Sequence, residues 1–256
     1  MPFITDPLFY AAAIPAVIFV GLSKGGFGGA MGLMGMPLLA LVVSPIKAAA
    51  IMLPIMIVMD IVSLWSWRGI YDKHTLKIML PAGVVGVAIG WFTATWVTAS
   101  HVRLLVGAIA LLFAADYLRQ RLSASVREAR EHNSAKGSLL GVLSGFTSFV
   151  SHAGGPPYQF YTLPLGQDPK VYVGTSVIFF SVMNAIKLIP YFALGQLDHT
   201  NLATSAILMP IAPVATLAGA WLVRQIDRNI FYPFMYAMIF VVGLKLVYDG
   251  MTSLGS

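Results

Sequence analysis

Three observations predict an all-α polytopic membrane protein made of two inverted-topology repeats, each a broken short-helix pair followed by three transmembrane helices. The 256-residue chain is 58% hydrophobic and only 10% charged, whereas a soluble domain carries about 25% charged residues. Long apolar runs fill it from one end to the other. The order of those runs, two short ones and then three long ones, occurs twice.

The first repeat is assigned to 1–118. Its opening apolar run, 8–22, ends at Ser23-Lys24-Gly25-Gly26, and a second run, 27–43, stops at Ser44-Pro45. Each falls short of the ~20 residues that a hydrocarbon core requires. They predict two short helices, or one hairpin, hinged at the glycine-rich break. Spans of full length are expected at 46–67, 76–96 and 101–118. A polar linker at 119–136, carrying Arg119, Arg121, Arg127, Arg130 and Lys136, leads into the second repeat, 137–256. There a short run, 137–152, meets Gly154-Gly155-Pro156-Pro157, another follows at 158–166, and three spans are expected near 170–194, 200–223 and 230–248. Proline lacks an N–H and clashes with the preceding turn, and glycine holds helical order poorly, so no helix is expected to run through that break. In lipid, broken backbone persists only where protein or a water-filled cavity satisfies it. The polar residues around it (Ser144, Thr147, Ser148, Ser151 and His152) favour a binding site over scaffolding.

Short motifs recur between the halves. Gly69-x-x-Asp72 returns as Gly195-x-x-Asp198, 126 residues later, and the pair Pro81 and Gly90 returns as Pro210 and Gly219, 129 residues later. Internal repeats of this kind mark transporters. With the basic linker on the cytoplasmic side, eleven basic residues fall inside, while Lys47 and Arg103 are the two outside. Each half then makes three net crossings, so the repeats run in opposite directions, and the two breaks approach the midplane from opposite faces.

The absence of cysteine excludes disulfides, thiolate catalysis and Cys-ligated metals. The five histidines are scattered, and no metal site is expected. The net charge of +6 belongs to cytoplasmic loops rather than to a nucleic-acid surface. No Gly-x4-Gly-Lys loop for nucleotide phosphates occurs. The first apolar run follows no basic segment and reads as structural.

Charges inside spans cost roughly 2.5–3.5 kcal/mol on insertion scales and are functional candidates by default. Lys24 sits at the first break. Asp60 and Ser63 share a helix face, and Ser181, Asn184 and Lys187 form a stripe at three-residue steps in the corresponding helix of the second half. Ordinary readings compete with these: Lys24 as a surface loop lysine, Lys187 snorkelling to an interface, Asp60 pairing with a neighbouring cation, His152 as a packing histidine. Asp116 reads as an interfacial residue near Arg119. Gly25, Gly28, Gly29, Gly32 and Gly35 suit close helix packing, and Met31, Met34 and Met36 suit packing rather than a soft metal. Taken jointly, half-helix N-termini, two lysines and hydroxyl or amide donors make an oxyanion pocket. The expected contacts are Ser23, Lys24, Gly25, Gly26, Ser148, His152, Gly154, Gly155, Asn184 and Lys187. Asp60 or His152 would take a coupling proton, and Pro156 and Pro157 would form the hinge.

Two stretches carry a family resemblance. Gly25-Gly-Phe-Gly-Gly-Ala-Met-Gly-Leu-Met-Gly-Met-Pro-Leu-Leu39 resembles the first signature of the sulfite exporter TauE/SafE family of permeases, and Ser144-Gly-Phe-Thr-Ser-Phe-Val-Ser-His-Ala-Gly-Gly-Pro-Pro157 its second. Gly174 to Phe180, with Asn184 and Lys187-x-x-Pro190, is similar to the helix that follows. The resemblance implies a multi-pass transporter of the bacterial inner membrane, acting on sulfite, sulfonates such as sulfoacetate, or other small anions. It implies no cofactor and no enzymatic activity. Its partners would be a small anionic substrate and the lipid bilayer, with a homodimer as an option and no nucleic acid. Export by alternating access is the expected mode. A passive anion channel, an uptake permease for a small carboxylate, and an intramembrane enzyme with Ser148 as nucleophile and His152 as base on one helix face are the alternatives.

Overall fold

The computed structural model describes residues 3–27, 32–93, 96–122, 129–193, 195 and 197–253. Among them every regular element is helical, as the sequence predicts. In chain order these are α1 (Pro7–Gly26), α2 (Gly32–Ala40), α3 (Pro45–Ser66), α4 (Lys73–Thr93), α5 (Ala99–Leu122) and α6 (Ser134–Ser151), then α7 (Gly155–Thr162), α8 (Pro169–Ala193), α9 (His199–Leu208), α10 (Ile211–Gln225) and α11 (Arg228–Thr252). A 3-10 turn, Leu163–Leu165, continues α7. Six of the described helices (α1, α3, α4, α5, α8 and α11) are long and apolar enough to cross a membrane. The chain is a multi-pass membrane protein.

The helices begin where short polar side chains satisfy the free N–H groups of a first turn. Asp6 accepts from Leu8, Asn133 accepts from Lys136 at 2.9 Å, and Asp198 accepts from Asn201 at 2.8 Å. The recurring Gly-x-x-Asp motif does the same work in both places. Gly69 and Gly195 turn the chain with left-handed φ of 78° and 64°, which glycine alone adopts without strain. Three residues on, Asp72 caps α4 through the N–H groups of His74 and Thr75, as Asp198 caps α9.

The chain divides into two compact units, each drawn from both sequence halves: residues 1–71 with 173–225, and residues 72–172 with 226–256. In the first unit α1 packs on α10 through small residues. A Cβ at Gly25 would collide with the carbonyl oxygen of Thr216, and one at Gly21 would lie 2.5 Å from Ala215 Cβ. Gly35 brings α2 equally close to α1 at Val20 and Ala16, and Met36 packs against the same core, so both serve packing as expected. Phe9, Val17, Ile51, Met52, Leu53 and Leu208 form the fully buried centre of that unit. In the second unit α4 packs on α6 the same way, Gly86 against the Val142 carbonyl and Gly145 against the Gly83 carbonyl. Lipid tails give helices little hydrophobic reason to associate, so this backbone-to-backbone approach is what holds such pairs.

Three boundaries differ from expectation. The linker expected at 119–136 is shorter, since α5 runs on to Leu122 and α6 starts at Ser134. Ser23-Lys24-Gly25-Gly26 is not itself a break: α1 continues through Gly26 and bends only at Phe27. The glycines stay helical because α10 presses on them where a side chain would not fit. The span expected at 200–223 is interrupted, α9 and α10 meeting at a bend of 49° around Met209 and Pro210, since Pro210 removes an N–H from the helix ladder. Gly28, Gly29, Met31 and Arg127 lie outside the described residues.

Candidate functional site

The first unit brings four of the predicted residues together. Lys24, in the last turn of α1, makes an ion pair with Asp60 of α3, and the second oxygen of that carboxylate accepts a hydrogen bond of 2.8 Å from Asn184 Nδ2 of α8. Asp60 and Asn184 are buried, and the Lys24 side chain is only 12% exposed. Lys187, one helical turn beyond Asn184, is 1% exposed and lies within electrostatic reach of both Lys24 and Asp60. It does not snorkel, and Lys24 is not a loop lysine. Among the described residues this cluster holds two lysines and one carboxylate, with Lys187 and Asp60 buried and Lys24 nearly so. Metal-like groupings of His, Asp and Glu are absent among the described residues.

Neighbouring polar groups divide into two kinds. Some are spent on backbone: Ser63 donates to the Lys24 carbonyl at 3.2 Å, and the Trp67 indole donates to the Gly25 carbonyl at 2.6 Å, which satisfies orphan acceptors at the α1 C-terminus. Arg224 stacks 5.2 Å from the Trp67 ring centroid. Others are unspent. The hydroxyls of Ser23, Ser181 and Thr216 are buried with no hydrogen-bond partner among the described residues. Thr216 and Trp67 escape sequence reasoning, because their part here depends on α10 and the end of α3 meeting α1, far off in the chain. Ser181 was visible as the first member of the stripe that continues to Asn184 and Lys187.

The second unit holds the other predicted residues. α6 ends at Ser151, and His152 adopts a left-handed conformation (φ 54°) as its C-cap. The N–H groups of His152 and Ala153 both donate to the Thr147 carbonyl. Ser144 donates to the Gly154 carbonyl at 2.7 Å and Thr147 to the Ala153 carbonyl at 3.1 Å. Those two hydroxyls are therefore scaffolding for the break rather than binding groups. Gly154 is required there, since a Cβ would lie 2.7 Å from the Ser144 carbonyl and from Ser148. Gly155, Pro156 and Pro157 start α7 as a fresh, buried helix. His152 thus stands at the left-handed C-cap of α6 rather than within the helix that carries Ser148.

A second polar cluster in this unit was not foreseen. Asp72 accepts from the Thr75 hydroxyl at 2.6 Å and from Gln167 Nε2 at 2.8 Å, and His132 Nε2 lies 3.3 Å away. The His132 ring stacks on His74, their centroids 4.3 Å apart. Burial pushes the Asp72 carboxyl up, but the Thr75 hydroxyl, two backbone N–H groups and the charge of His132 outweigh it and hold the group below its ordinary range.

Fold and site together define the class: a multi-pass helical membrane protein that keeps charged residues buried in its spans, as substrate pathways do. The family model for the sulfite exporter TauE/SafE matches residues 13–246, and the chain belongs to that family, one of exporter-type membrane transporters for sulfite and related sulfur anions. No curated protein and no solved structure matches it.

Proposed function

We propose that the protein is a secondary transporter that exports a small sulfur-containing oxyanion, sulfite or a short organosulfonate such as sulfoacetate, across the bacterial inner membrane by alternating access. The observation that carries this reading is the polar cluster of the first unit, where the amines of Lys24 and Lys187 gather with Asn184 about the Asp60 carboxylate inside the spans. A buried amine takes up its charge most readily when an anion lies beside it. The unspent hydroxyls of Ser23, Ser181 and Thr216 supply neutral donors, each costly if left unsatisfied (about 1–3 kcal/mol). An oxyanion with several lone-pair oxygens suits such a set better than a cation or an apolar solute.

Asp60 is the natural coupling group. A proton on its carboxylate would weaken the Lys24 pair and free that ammonium for substrate. Coupling is not obligatory for export, since an anion leaving a negative-inside cell gains roughly 2.3 kcal/mol per charge per 100 mV. Gly25 and Gly26 act indirectly, by letting α10 close on α1. In the second unit Ser148, His152, Gly154 and Gly155 are that unit's own candidates for anion contact, with Pro156 and Pro157 fixing the break. Alternating access rests on the inverted repeat, which the matched Gly-x-x-Asp turns and the matched packing of α1 on α10 and α6 on α4 support.

Counterflow in proteoliposomes tests the mode of transport. Labelled sulfite should accumulate transiently against unlabelled sulfite and saturate with concentration. Conductance without counterflow would instead assign a channel, and counterflow by acetate or succinate but not by sulfite or sulfoacetate would assign a carboxylate permease.

A further inference from the structure

We infer that the end of the second unit where α5, the 3-10 turn and α11 meet is a docking site for the phosphodiester headgroup of an anionic phospholipid. A cavity of about 430 Å³ opens there, lined among others by Tyr117, Pro164, Gly166, Arg228, Tyr232 and Tyr236. That volume falls within the ~300–1,000 Å³ typical of small-ligand sites. Among the described residues Arg228 is the one charged side chain in the lining; Asp168, which acts electrostatically on Tyr232, and Asp227, the residue before Arg228, stand outside it.

The guanidinium is held in place before any ligand arrives. It donates to the Gly166 carbonyl and lies 5.6 Å from the Tyr232 ring centroid, while the Tyr232 hydroxyl is anchored on the Gln167 carbonyl at 2.6 Å. A guanidinium has five donors in a fork, so donors remain for a phosphate, the acceptor that this geometry fits. Tyr117 and Tyr236 stack in parallel with centroids 3.7 Å apart, giving the pocket a stiff aromatic wall.

Depth and surroundings select a lipid over a soluble anion. The apolar part of α5 ends at Arg119, and that of α11 begins at Arg228. The cavity therefore lies where hydrocarbon gives way to headgroups, the level at which Tyr and Arg anchor membrane proteins. Leu118 and Ile230, 55% and 62% exposed, flank it with apolar surface for acyl chains. The basic linker assigns this end to the cytoplasmic leaflet, whose anionic lipids are attracted to basic pockets between spans.

Thermal unfolding of the detergent-purified protein with short-chain phosphatidylglycerol, phosphatidylcholine, glycerol 3-phosphate or inorganic phosphate tests the assignment. Phosphatidylglycerol should raise Tm in a saturable way and the other three should not. Arg228→Gln should weaken that effect by about tenfold or more in concentration, with Arg228→Lys intermediate. Should Arg228→Gln not fold, Tyr236→Leu, which removes the wall and keeps the charge, should also weaken it. Equal stabilisation by phosphatidylcholine, an undiminished effect in the variants, or a full effect from phosphate or glycerol phosphate alone would each overturn the proposal.

Discussion

Asp60 is the residue on which the buried cluster turns, because it is the carboxylate that both Lys24 and Asn184 address. Asp60→Ala should destabilise the protein by about 3–5 kcal/mol, since it takes from Lys24 the carboxylate with which it pairs inside the protein. Adding Lys24→Met to it should recover part of that loss, a coupling that a double-mutant cycle in chemical denaturation would measure. Outside the spans, Asp72 sets an acid limit. Its folded carboxyl is held below the unfolded value of about 3.9. Its stabilisation is therefore complete above that pH and is lost as the pH falls through the lower folded value. Asp72→Asn should flatten this acid limb of a Tm-against-pH profile. At this scale the sequence was readable where cost made residues stand out: Asp60, Asn184 and Lys187 are polar groups in apolar runs. For Asp60 the sequence points to a neighbouring cation without naming Lys24, because 36 residues separate them and helix periodicity carries no information about which helices meet.

At the scale of elements, glycine decides which helices touch. Gly86→Val and Gly145→Val should each cost about 1–3 kcal/mol or more, because the colliding atoms are carbonyls of the facing helix and not flexible side-chain ends. Gly69→Ala meets nothing within 4 Å but must hold φ near +78°, so its cost should be smaller, about 1–2 kcal/mol, and due to backbone alone. Thermal unfolding of the three variants would rank them. The same physics explains what the sequence conveyed about boundaries. Gly154-Gly155-Pro156-Pro157 was legible as a break because two adjacent prolines remove consecutive N–H donors, which only the first turn of a helix leaves unneeded. Gly25-Gly26 looked alike but stayed helical, since glycine is tolerated in a helix wherever a neighbour occupies the space of its missing side chain. Pro81 and Pro210 show the converse: α4 continues through one, and the chain bends by 49° at the other.

At the scale of the molecule, the helical class and the family were legible from composition and two signatures, because apolar length and proline or glycine placement are local properties. The grouping into compact units was not. Each unit takes helices from both sides of the basic linker, and chain order alone does not name packing partners. The central claim is that the positive cluster of the first unit binds the transported anion, and sulfite efflux from proteoliposomes with Lys187→Met and Asn184→Ala measures it most directly. Both variants should remain folded by thermal unfolding while efflux falls by tenfold or more, as expected when a charged hydrogen bond of about 1.5–3 kcal/mol is lost. Folded variants that carry sulfite at the parent rate and with the parent KM would contradict the account.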